Sequence, residues 1–404
     1  MSGYMIQKRA GNIHNSANNN NAGINKNNAG NNNILVDSFG RKIDYLRLSV
    51  TDRCNLRCTY CIPEQGINLL KHSDMLTYEE IEKSVKMLSD MGIRKIRITG
   101  GEPLVRKNIV DLIKNIKKNN GLEDLSITTN GILLGRYLYG LKSSGLNRIN
   151  ISIDSLDPEK FSAITRGGNL FDVIASLKKA IEMGFSGLNI NTVITDILDT
   201  EDVREFIKMS MKMPVNIRFI EMMQIPLSGN NQGTSVECRT LPGFLGKSPA
   251  STAGNTRLGF KNIIRIMEQY GKFEKTDSIA GFGPSVYYKN KNSEGSIGFI
   301  LNDKCFCSFC NRIRLTSSGK IKLCLFSDLE FDLKDKLRKN APVELIKKQL
   351  CSFISCKPEN REESCRLNVI ETGGISGHED RSKNKKLKND VELRLSDYMN
   401  RTGG

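Results

Sequence analysis

From Asp44 onward, short runs of β-branched residues alternate with amphipathic segments of helical period, and this alternation restricts the fold of the 404-residue chain more than any other feature. The segments Tyr78–Met91 and Phe171–Met183 carry apolar residues on one face and are followed by Gly92 and Gly184, residues typical of helix ends. Strands that alternate with helices form parallel sheets covered by those helices. Six consecutive units without a reversal predict an α/β fold, a partial TIM-type barrel. The six predicted strands are Tyr45–Val50, Lys95–Thr99, Leu125–Thr128, Arg148–Ile153, Gly187–Ile194 and Val215–Ile220.

The remaining segments differ from this barrel region in composition. Residues 1–33 are rich in Asn and predict a disordered extension, because they cannot bury enough apolar surface to offset their ordering entropy. The expected divisions are 1–33, the barrel at 34–226, an irregular connection at 227–256, a cysteine-bearing region at 257–330 and a helical region at 331–404 that ends in Gly-Gly. Alternation in Tyr287–Leu301 predicts a small hairpin. The basic run Asp380–Asn389 is interpreted as a solvated linker, with a nucleic-acid arm as the alternative.

The chain has 60 Lys and Arg against 44 Asp and Glu, a net charge of +16. Such a balance suits an anionic partner, and charge alone leaves nucleic acid, a membrane surface and a polyphosphate open. Neither a run of uncharged apolar residues long enough for a membrane span nor a secretory signal is evident, so we expect a cytoplasmic protein without a membrane partner. A mitochondrial location would follow if the extension were a targeting peptide. No acidic residue precedes Asp37, but the extension contains only one Arg.

Cys54, Cys58 and Cys61 form the motif CNLRCTYC directly after the first predicted strand. Eleven cysteines in a chain of this kind are more typical of metal ligands or free thiols than of disulfides. Three thiolates suit either a zinc site with one ligand missing or a [4Fe-4S] cluster with one open iron. Structural zinc sites usually pair CxxC knuckles, whereas CxxxCxxC with an aromatic residue before the last cysteine resembles the radical S-adenosylmethionine superfamily.

Small polar residues follow the next three predicted strands. They occur in the segments Thr99–Pro103, with the motif GGEP, Thr128–Gly131, with TTNG, and Ser152–Asp154. Each alone is equally typical of a turn or a helix cap. Because parallel strands end at the same edge of a sheet, their repetition predicts a binding site at that edge.

Cys307, Cys310 and Cys324 form a second group, in FCSFCNRIRLTSSGKIKLCLF. On spacing alone, zinc and an iron-sulfur cluster remain open, and Cys305 is a candidate fourth ligand. Two guanidiniums, those of Arg312 and Arg314, lie close by in the sequence, which indicates that an anion binds there. We expect Cys305 to be a bystander.

The chain resembles the GTP 3′,8-cyclase family, the radical S-adenosylmethionine enzymes of molybdenum cofactor biosynthesis (the molybdenum cofactor biosynthesis protein A family). The resemblance covers about Phe39 to Phe326 and returns at the last residues. The resemblance rests on the motifs LRLSVTDRCNLRCTYC, KIRITGGEPLVR, TTNG, INISIDS, RFIEMM, CNRIRLTSSGKIKLCLF and the terminal Arg-Thr-Gly-Gly.

The resemblance implies two [4Fe-4S] clusters, S-adenosylmethionine as cofactor and GTP as substrate. Reductive cleavage of S-adenosylmethionine would yield a 5′-deoxyadenosyl radical that takes hydrogen from C3′ of GTP, and the sugar radical would attack C8. Residues 257–330 would hold the auxiliary cluster and bind substrate. The implied metal ligands are Cys54, Cys58, Cys61, Cys307, Cys310 and Cys324. The implied S-adenosylmethionine contacts are Tyr60, Gly101, Ser152 and Met223. The implied GTP contacts are Arg47, Arg97, Thr128, Asn189, Arg218, Arg312, Ile313 and Arg314, and the implied catalytic tail residues are Arg401, Gly403 and Gly404.

Three departures from the family pattern stand out. Asn189 occupies a position where the family usually has a Lys that contacts the triphosphate. Met222–Pro226 replaces the usual continuation after Arg218. Residues 351–389 are expanded, and the cysteines of this segment are interpreted as free thiols: Cys351, Cys356 and Cys365.

Two other functions fit parts of the sequence. One is a different radical S-adenosylmethionine enzyme with an auxiliary cluster, such as a peptide maturase, which would lack NRIRLT and the terminal Gly-Gly. The other is a zinc-dependent nucleic-acid-binding protein, suggested by the charge and the CxxC motif. With GTP as substrate, we expect a homodimer that delivers its product to the next enzyme of the molybdopterin pathway and does not bind nucleic acid. The electron donor is not identified by the sequence.

Overall fold

A computed structural model describes residues 34–119, 121–222, 258–277, 283–301, 307–327 and 329–360, which belong to one unit that begins at Ile34. Its strands are β1 (Tyr45–Ser49), β2 (Lys95–Thr99), β3 (Asp124–Thr129), β4 (Arg148–Ser152), β5 (Gly187–Ile194), β6 (Asn216–Glu221), β7 (Phe273–Thr276), β8 (Val286–Asn290), β9 (Ser296–Ile300), β10 (Arg312–Leu315), β11 (Lys320–Lys322) and β12 (Glu330–Asp332). Its α-helices are α1 (Tyr78–Asp90), α2 (Ile109–Lys117), α3 (Leu134–Ser143), α4 (Pro158–Thr165), α5 (Leu170–Glu182), α6 (Thr200–Lys212), α7 (Phe260–Glu268), α8 (Leu333–Arg338) and α9 (Val343–Ser355).

The strands β1 to β6 lie side by side in chain order, and each pairs with the next in parallel. The sequence prediction of these strands is confirmed, with ends that differ by at most one residue. The predicted helices α1 and α5 are also confirmed to within one residue. A capping box begins α1, in which Thr77 Oγ1 accepts from the Glu80 amide, and Gly92 follows its end with a positive φ of 103°.

The second half of the chain extends the same sheet on both sides. Strand β10 pairs in parallel with β1, and β9 pairs in parallel with β6. The predicted hairpin is confirmed as the antiparallel pair of β8 and β9. The order across the sheet is β12-β11-β10-β1-β2-β3-β4-β5-β6-β9-β8-β7. Local sequence patterns did not indicate that β9 and β10 join this sheet, because each strand pairs with a partner distant in the chain.

The parallel strands separate apolar from polar side chains. In β1, Leu46 and Leu48 are fully buried on the face that the helices cover, and Ile96 and Ile98 of β2 lie beside them in register. The alternate residues lie on the other face, because successive side chains of a strand point to opposite sides. That second face carries, from β10 to β6, Arg314, Arg47, Arg97, Ser126, Thr128, Asn150, Asn189, Asn191 and Arg218.

At the amino ends of the strands, carboxylates neutralise the cations of the polar face. Lys95 Nζ lies 2.8 Å from Asp44 Oδ2, and the buried guanidinium of Arg148 pairs with Asp124. Gly187 of β5 makes room for this pair, since a Cβ there would lie 2.3 Å from Arg148 Cγ. The cations Lys95 and Arg148 at this end of the sheet are therefore neutralised within the protein.

Some sequence expectations lie outside the described residues. These are the extension 1–33, the connection 227–256 and the basic run Asp380–Asn389. Among the residues that are described, no helix is long and apolar enough to cross a membrane.

We expect the aromatic cluster on the helix-covered face to hold the second half of the chain to the six strands. Phe219 of β6 lies fully buried, with ring centroids 5.9 Å from Phe206 of α6 and 6.0 Å from Phe299 of β9. Phe219→Ala should lower the free energy of unfolding in urea by about 3–5 kcal/mol, since it leaves a cavity. Phe171→Ala, at a position 70% exposed, is the control and should cost less than about 0.5 kcal/mol. Equal losses in the two variants would contradict this packing.

Candidate active site

The first cysteine set, Cys54, Cys58 and Cys61, lies beyond the carboxyl end of β1 and is half-buried. A tight turn brings Cys58 and Cys61 together, with the Cys61 amide donating to the Cys58 carbonyl at 2.9 Å. The amides of Arg57 and Thr59 donate to carbonyls at the end of α4, and these bonds attach the loop to that helix. The predicted ligands therefore converge at the edge where the sequence placed them.

Electrostatics also indicates that these sulfurs face one another. Burial raises the pKa of Cys61 to about 12, and the neighbouring Cys54 and Asp154 add to the effect. Burial likewise raises the pKa of Cys54 to about 11 and that of Cys58 beyond it, the latter with contributions from the other two sulfurs. Three converging thiolates need a strong positive charge, which an iron centre supplies.

Within the residues that the structure describes, no group of three or more Cys, His, Asp or Glu side chains is arranged to hold one metal ion. In a [4Fe-4S] cluster each cysteine binds a different iron, so its sulfurs stand farther apart than those around one zinc ion.

The GGEP segment lies against the backbone that precedes Cys54. The amides of Gly101 and Glu102 donate to the carbonyls of Thr51 and Arg53, both at 2.8 Å. A Cβ at Gly101 would lie 2.4 Å from the Arg53 carbonyl oxygen, so only glycine permits this approach. The structure thus places Gly101 next to the first cysteine set.

Glu102 links this segment to the end of β3. Its carboxylate accepts from Thr129 Oγ1 at 2.8 Å and from the Asn130 amide at 2.6 Å. Burial raises the pKa of Glu102 to about 7. Asn130 Nδ2 in turn reaches Cys54 Sγ at 3.8 Å. The TTNG segment is therefore part of the same site, through residues that the sequence prediction did not single out.

Tyr60 and Ser152 lie on the other side of the first cysteine set. Tyr60 Oη donates to Asp154 Oδ2 at 2.5 Å, and Asp154 Oδ1 accepts from the Val193 amide at 2.8 Å. Ser152 ends β4 beside Asn191. Asp154 belongs to the polar strand-end segment Ser152–Asp154 of the sequence analysis, and the structure shows that its carboxylate holds the Tyr60 hydroxyl. Met223 and Cys305 lie outside the described residues, as do Cys365 and the tail residues Arg401, Gly403 and Gly404.

A row of guanidiniums crosses the polar face in mid-strand. Arg47 of β1 is in register with Arg314 of β10 on one side and with Arg97 of β2 on the other. Burial lowers the pKa of Arg47 well below its usual value, and the charges of Arg314, Arg97 and Arg312 lower it further. Mutual repulsion of this kind is relieved when an anion binds among the cations.

The opposite side of this face presents Arg218. Its Nε donates to Tyr287 Oη at 2.7 Å and its Nη1 to Asn150 Oδ1 at 2.8 Å. Burial lowers the pKa of Arg218, and the charge of Arg97 acts in the same direction. Within the described residues, Arg97 Nε and Thr128 Oγ1 are buried without a hydrogen-bond partner. These atoms point to a polar ligand, and Tyr287 and Asn150 are neighbours that the sequence prediction missed.

Two predicted substrate contacts, Asn189 and Ile313, have side chains that are buried in the sheet. The Asn189 side chain is 3% exposed, and its Oδ1 accepts from Asn216 Nδ2 at 3.1 Å within the sheet. Ile313 is fully buried, and it is in register with Leu46 on the helix-covered face. Only the main chain of Ile313 is therefore available to a ligand on the polar face.

The second cysteine set lies at the other end of the strands. Cys307 and Cys310 precede β10, and Cys324 follows β11, which is antiparallel to β10. Because β10 and β1 are parallel, with Arg312 beside Tyr45, this end is opposite to that of Cys54. Burial would raise the pKa of Cys310, but the charges of Lys357 and Arg312 outweigh it and lower that pKa to about 6. These three sulfurs also fit a cation-binding role.

Comparisons with known families match both halves of the chain. Residues 48–210 match the Radical SAM superfamily, and residues 247–363 match Molybdenum Cofactor Synthesis C. The GTP 3′,8-cyclase of Desulforamulus reducens is 40% identical over 325 residues, which cover 80% of this chain and 94% of that protein. The GTP 3′,8-cyclase of Alkaliphilus metalliredigens is 39% identical over 345 residues, which cover 84% of this chain and 99% of that protein.

Solved structures share the fold at low sequence identity. Streptococcus suis SuiB bound to precursor peptide SuiA has a TM-score of 0.51 and 14% identity, with 84% of this chain and 74% of that chain covered. The protein anSMEcpe with bound AdoMet has a TM-score of 0.50 and 17% identity, with 85% and 84% covered. By its cysteine motif, its parallel sheet and its identity to these cyclases, the chain belongs to the GTP 3′,8-cyclase family of radical S-adenosylmethionine enzymes.

Proposed function

We propose that this chain converts GTP to (8S)-3′,8-cyclo-7,8-dihydroguanosine 5′-triphosphate, the early step of molybdenum cofactor biosynthesis, with two [4Fe-4S] clusters and S-adenosylmethionine. The two cysteine sets lie at opposite ends of the same parallel strands, with the guanidiniums of Arg47, Arg97 and Arg314 between them. This arrangement carries the proposal. The first cysteine set offers a site for radical formation, the second offers a site for the guanine base of GTP, and the arginines between them offer positive charge for its phosphates. In this proposal the β1–β6 units form a six-unit partial barrel, and the following region supplies the second cluster.

The first cysteine set would hold the cluster that binds the cofactor. Together, the bound cluster and S-adenosylmethionine supply the 5′-deoxyadenosyl radical that removes hydrogen from C3′ of GTP. Gly101 offers backbone close to this set, and Tyr60 is held in place by Asp154. Ser152 lies at the end of the neighbouring strand β4. Met223 completes the proposed contacts.

The arginines of the polar face would bind the triphosphate. A triphosphate carries about four negative charges, and several converging guanidiniums can pair its oxygens bidentately. Arg47, Arg97 and Arg314 lie in one row, and Arg218 faces them from β6. Thr128 adds a buried hydroxyl to this space. Since these cations act on one another before any anion binds, the substrate relieves a repulsion that already exists in the fold.

The second cysteine set would hold the guanine end of GTP. Its cluster leaves one iron open, since Cys307, Cys310 and Cys324 supply three ligands. Arg312 and the main chain of Ile313 follow directly on β10. Asn189 does not replace the charge of the usual Lys, so the triphosphate would depend more strongly on the arginine row.

Other parts of the proposal rest on the family resemblance. The tail residues Arg401, Gly403 and Gly404 would enter the site, where a backbone without Cβ atoms can approach the substrate. We also propose a cytoplasmic homodimer that passes its product to the next enzyme of the pathway. Cys305, Cys351, Cys356 and Cys365 have no assigned part in it.

The two clusters should be separable. The reconstituted protein should hold about eight iron atoms, and Cys58→Ala or Cys310→Ala should leave about four. Cys58→Ala should abolish reductive cleavage of S-adenosylmethionine, whereas Cys310→Ala should retain part of it and lose use of GTP. Iron analysis and quantification of 5′-deoxyadenosine measure these outcomes. Cys351→Ala, at an exposed position, is the control and should match the wild type; four iron atoms in the wild type would refute the second cluster.

The arginine row should govern GTP binding and leave the first cluster intact. Arg97→Met removes a guanidinium whose Nε is buried in the site. We expect kcat/KM for GTP to fall by about 100-fold, a loss typical of removing one buried charge contact. Iron content and uncoupled 5′-deoxyadenosine formation should remain near wild type. Arg136→Met, on the exposed side of α3, is the matched control; an unchanged KM in Arg97→Met would place the triphosphate elsewhere.

The tail should act on chemistry after cofactor cleavage. Deletion of Gly403 and Gly404 should leave the iron content, the melting temperature and uncoupled 5′-deoxyadenosine formation near wild type. Formation of the cyclised product should fall by orders of magnitude, because the missing backbone can no longer approach the substrate. Product analysis by chromatography measures this. Wild-type product formation by the shortened chain would exclude the tail from the site.

A further inference from the structure

Two buried cations from distant parts of the chain meet at the second cysteine set. Arg41 precedes β1 and is 8% exposed, and Lys357 follows α9 and is 3% exposed. Neither residue belongs to a cysteine motif, and neither was singled out by the sequence. The hydrogen bonds of Arg41 and Lys357 show which segments each side chain connects.

Arg41 is neutralised by a carboxylate and ties three segments together. Its Nε pairs with Asp37 Oδ2 at 2.5 Å. Its Nη1 donates to the Cys307 carbonyl at 2.7 Å, and its Nη2 donates to the Pro358 carbonyl at 2.6 Å. The loop that begins the second cysteine set is thereby attached to the segment that carries Lys357.

Lys357 joins the other two cysteine segments. Its Nζ donates to the Arg312 carbonyl at 2.9 Å, and Arg312 lies two residues after Cys310. The same ammonium donates to the Leu323 carbonyl, directly before Cys324. One side chain therefore sets the distance between two of the three cysteines. Both acceptors are carbonyl oxygens rather than carboxylates, so these bonds do not neutralise its charge.

Burial of an ammonium ion costs several kcal/mol unless negative charge lies nearby. Arg41 meets that requirement with Asp37. For Lys357, negative charge would come from thiolates of the cysteine set, since its two bonded carbonyls lie within two residues of Cys310 and Cys324. A cluster gains one more negative charge on reduction, and a nearby buried cation stabilises that form.

We propose that Lys357 is the positioning residue and the counter-charge of the second cysteine set. It holds the Cys310 and Cys324 segments at the spacing that a cluster needs, and it raises the reduction potential of that cluster. The part concerning the cluster rests on the proposed function. The part concerning the segments can be tested in the protein without a cluster.

The test compares Lys357→Met with Lys357→Arg, which keeps the charge, and with Lys348→Met on the exposed side of α9. In the cluster-free protein, hydrogen exchange is measured for residues 307–327 and 54–62. In the reconstituted protein, iron is counted and the potential of each cluster is followed by electron paramagnetic resonance. Thermal melting reports whether each variant folds.

Lys357→Met should speed exchange in 307–327 and leave 54–62 unchanged. It should either reduce iron from about eight to about four per chain or lower the potential of the second cluster alone. Lys357→Arg should retain the cluster and its potential, and Lys348→Met should match the wild type in every measurement. Unchanged exchange, iron and potentials in Lys357→Met would overturn the inference. Equal loss at both cysteine sets would also overturn it, since that result indicates a general folding role.

A wild type with four iron atoms would refute the second cluster of the proposed function and, with it, the counter-charge role. The exchange measurement would still decide whether Lys357 positions the two segments. The failure of each proposal is therefore observed separately.

Discussion

Strand register that brings guanidiniums side by side is the constraint that the rest of this structure accommodates. Arg314, Arg47 and Arg97 lie side by side because β10, β1 and β2 are parallel and paired residue for residue. The fold tolerates the repulsion because the other face of the same strands is apolar and fully buried under helices. Aromatic and amide groups also stabilise the cations: the Arg97 guanidinium lies 5.7 Å from the Tyr45 ring centre, and Arg218 donates to Tyr287 and Asn150.

The contrast with the amino ends of the strands shows that this charge is placed and not accidental. There, Lys95 meets Asp44 and Arg148 meets Asp124, so the cations are neutralised inside the protein. In mid-strand, the charges that act most strongly on Arg47 come from other arginines. The cations at the amino ends of the strands therefore lie beside carboxylates, whereas those in mid-strand lie beside one another.

Much of the parallel sheet and the position of the first cysteine set could be predicted from local sequence. The six strands and the helices α1 and α5 follow from periodicity and end signals, since those depend on residues close in the chain. The first cysteine set was predicted at a strand end, and it lies there. Asn189 and Ile313 show the limit: one side chain is engaged within the sheet and the other lies on the apolar face. The surroundings of both side chains depend on strand register, and a comparison of motifs gives no information on register.

By itself, the sequence determined the α/β class, the bounds of β1 to β6, α1 and α5 to within one residue, the two cysteine motifs and the family that they resemble. The tertiary structure decided that β9 and β10 join the same sheet, and that the two cysteine sets therefore lie at opposite ends of it. It also brought Tyr287 to Arg218 and Lys357 to the segments of Cys310 and Cys324. The physical reason is that periodicity reports which way a side chain faces within its own element, whereas the neighbour that it meets is set by pairing between segments far apart in the chain.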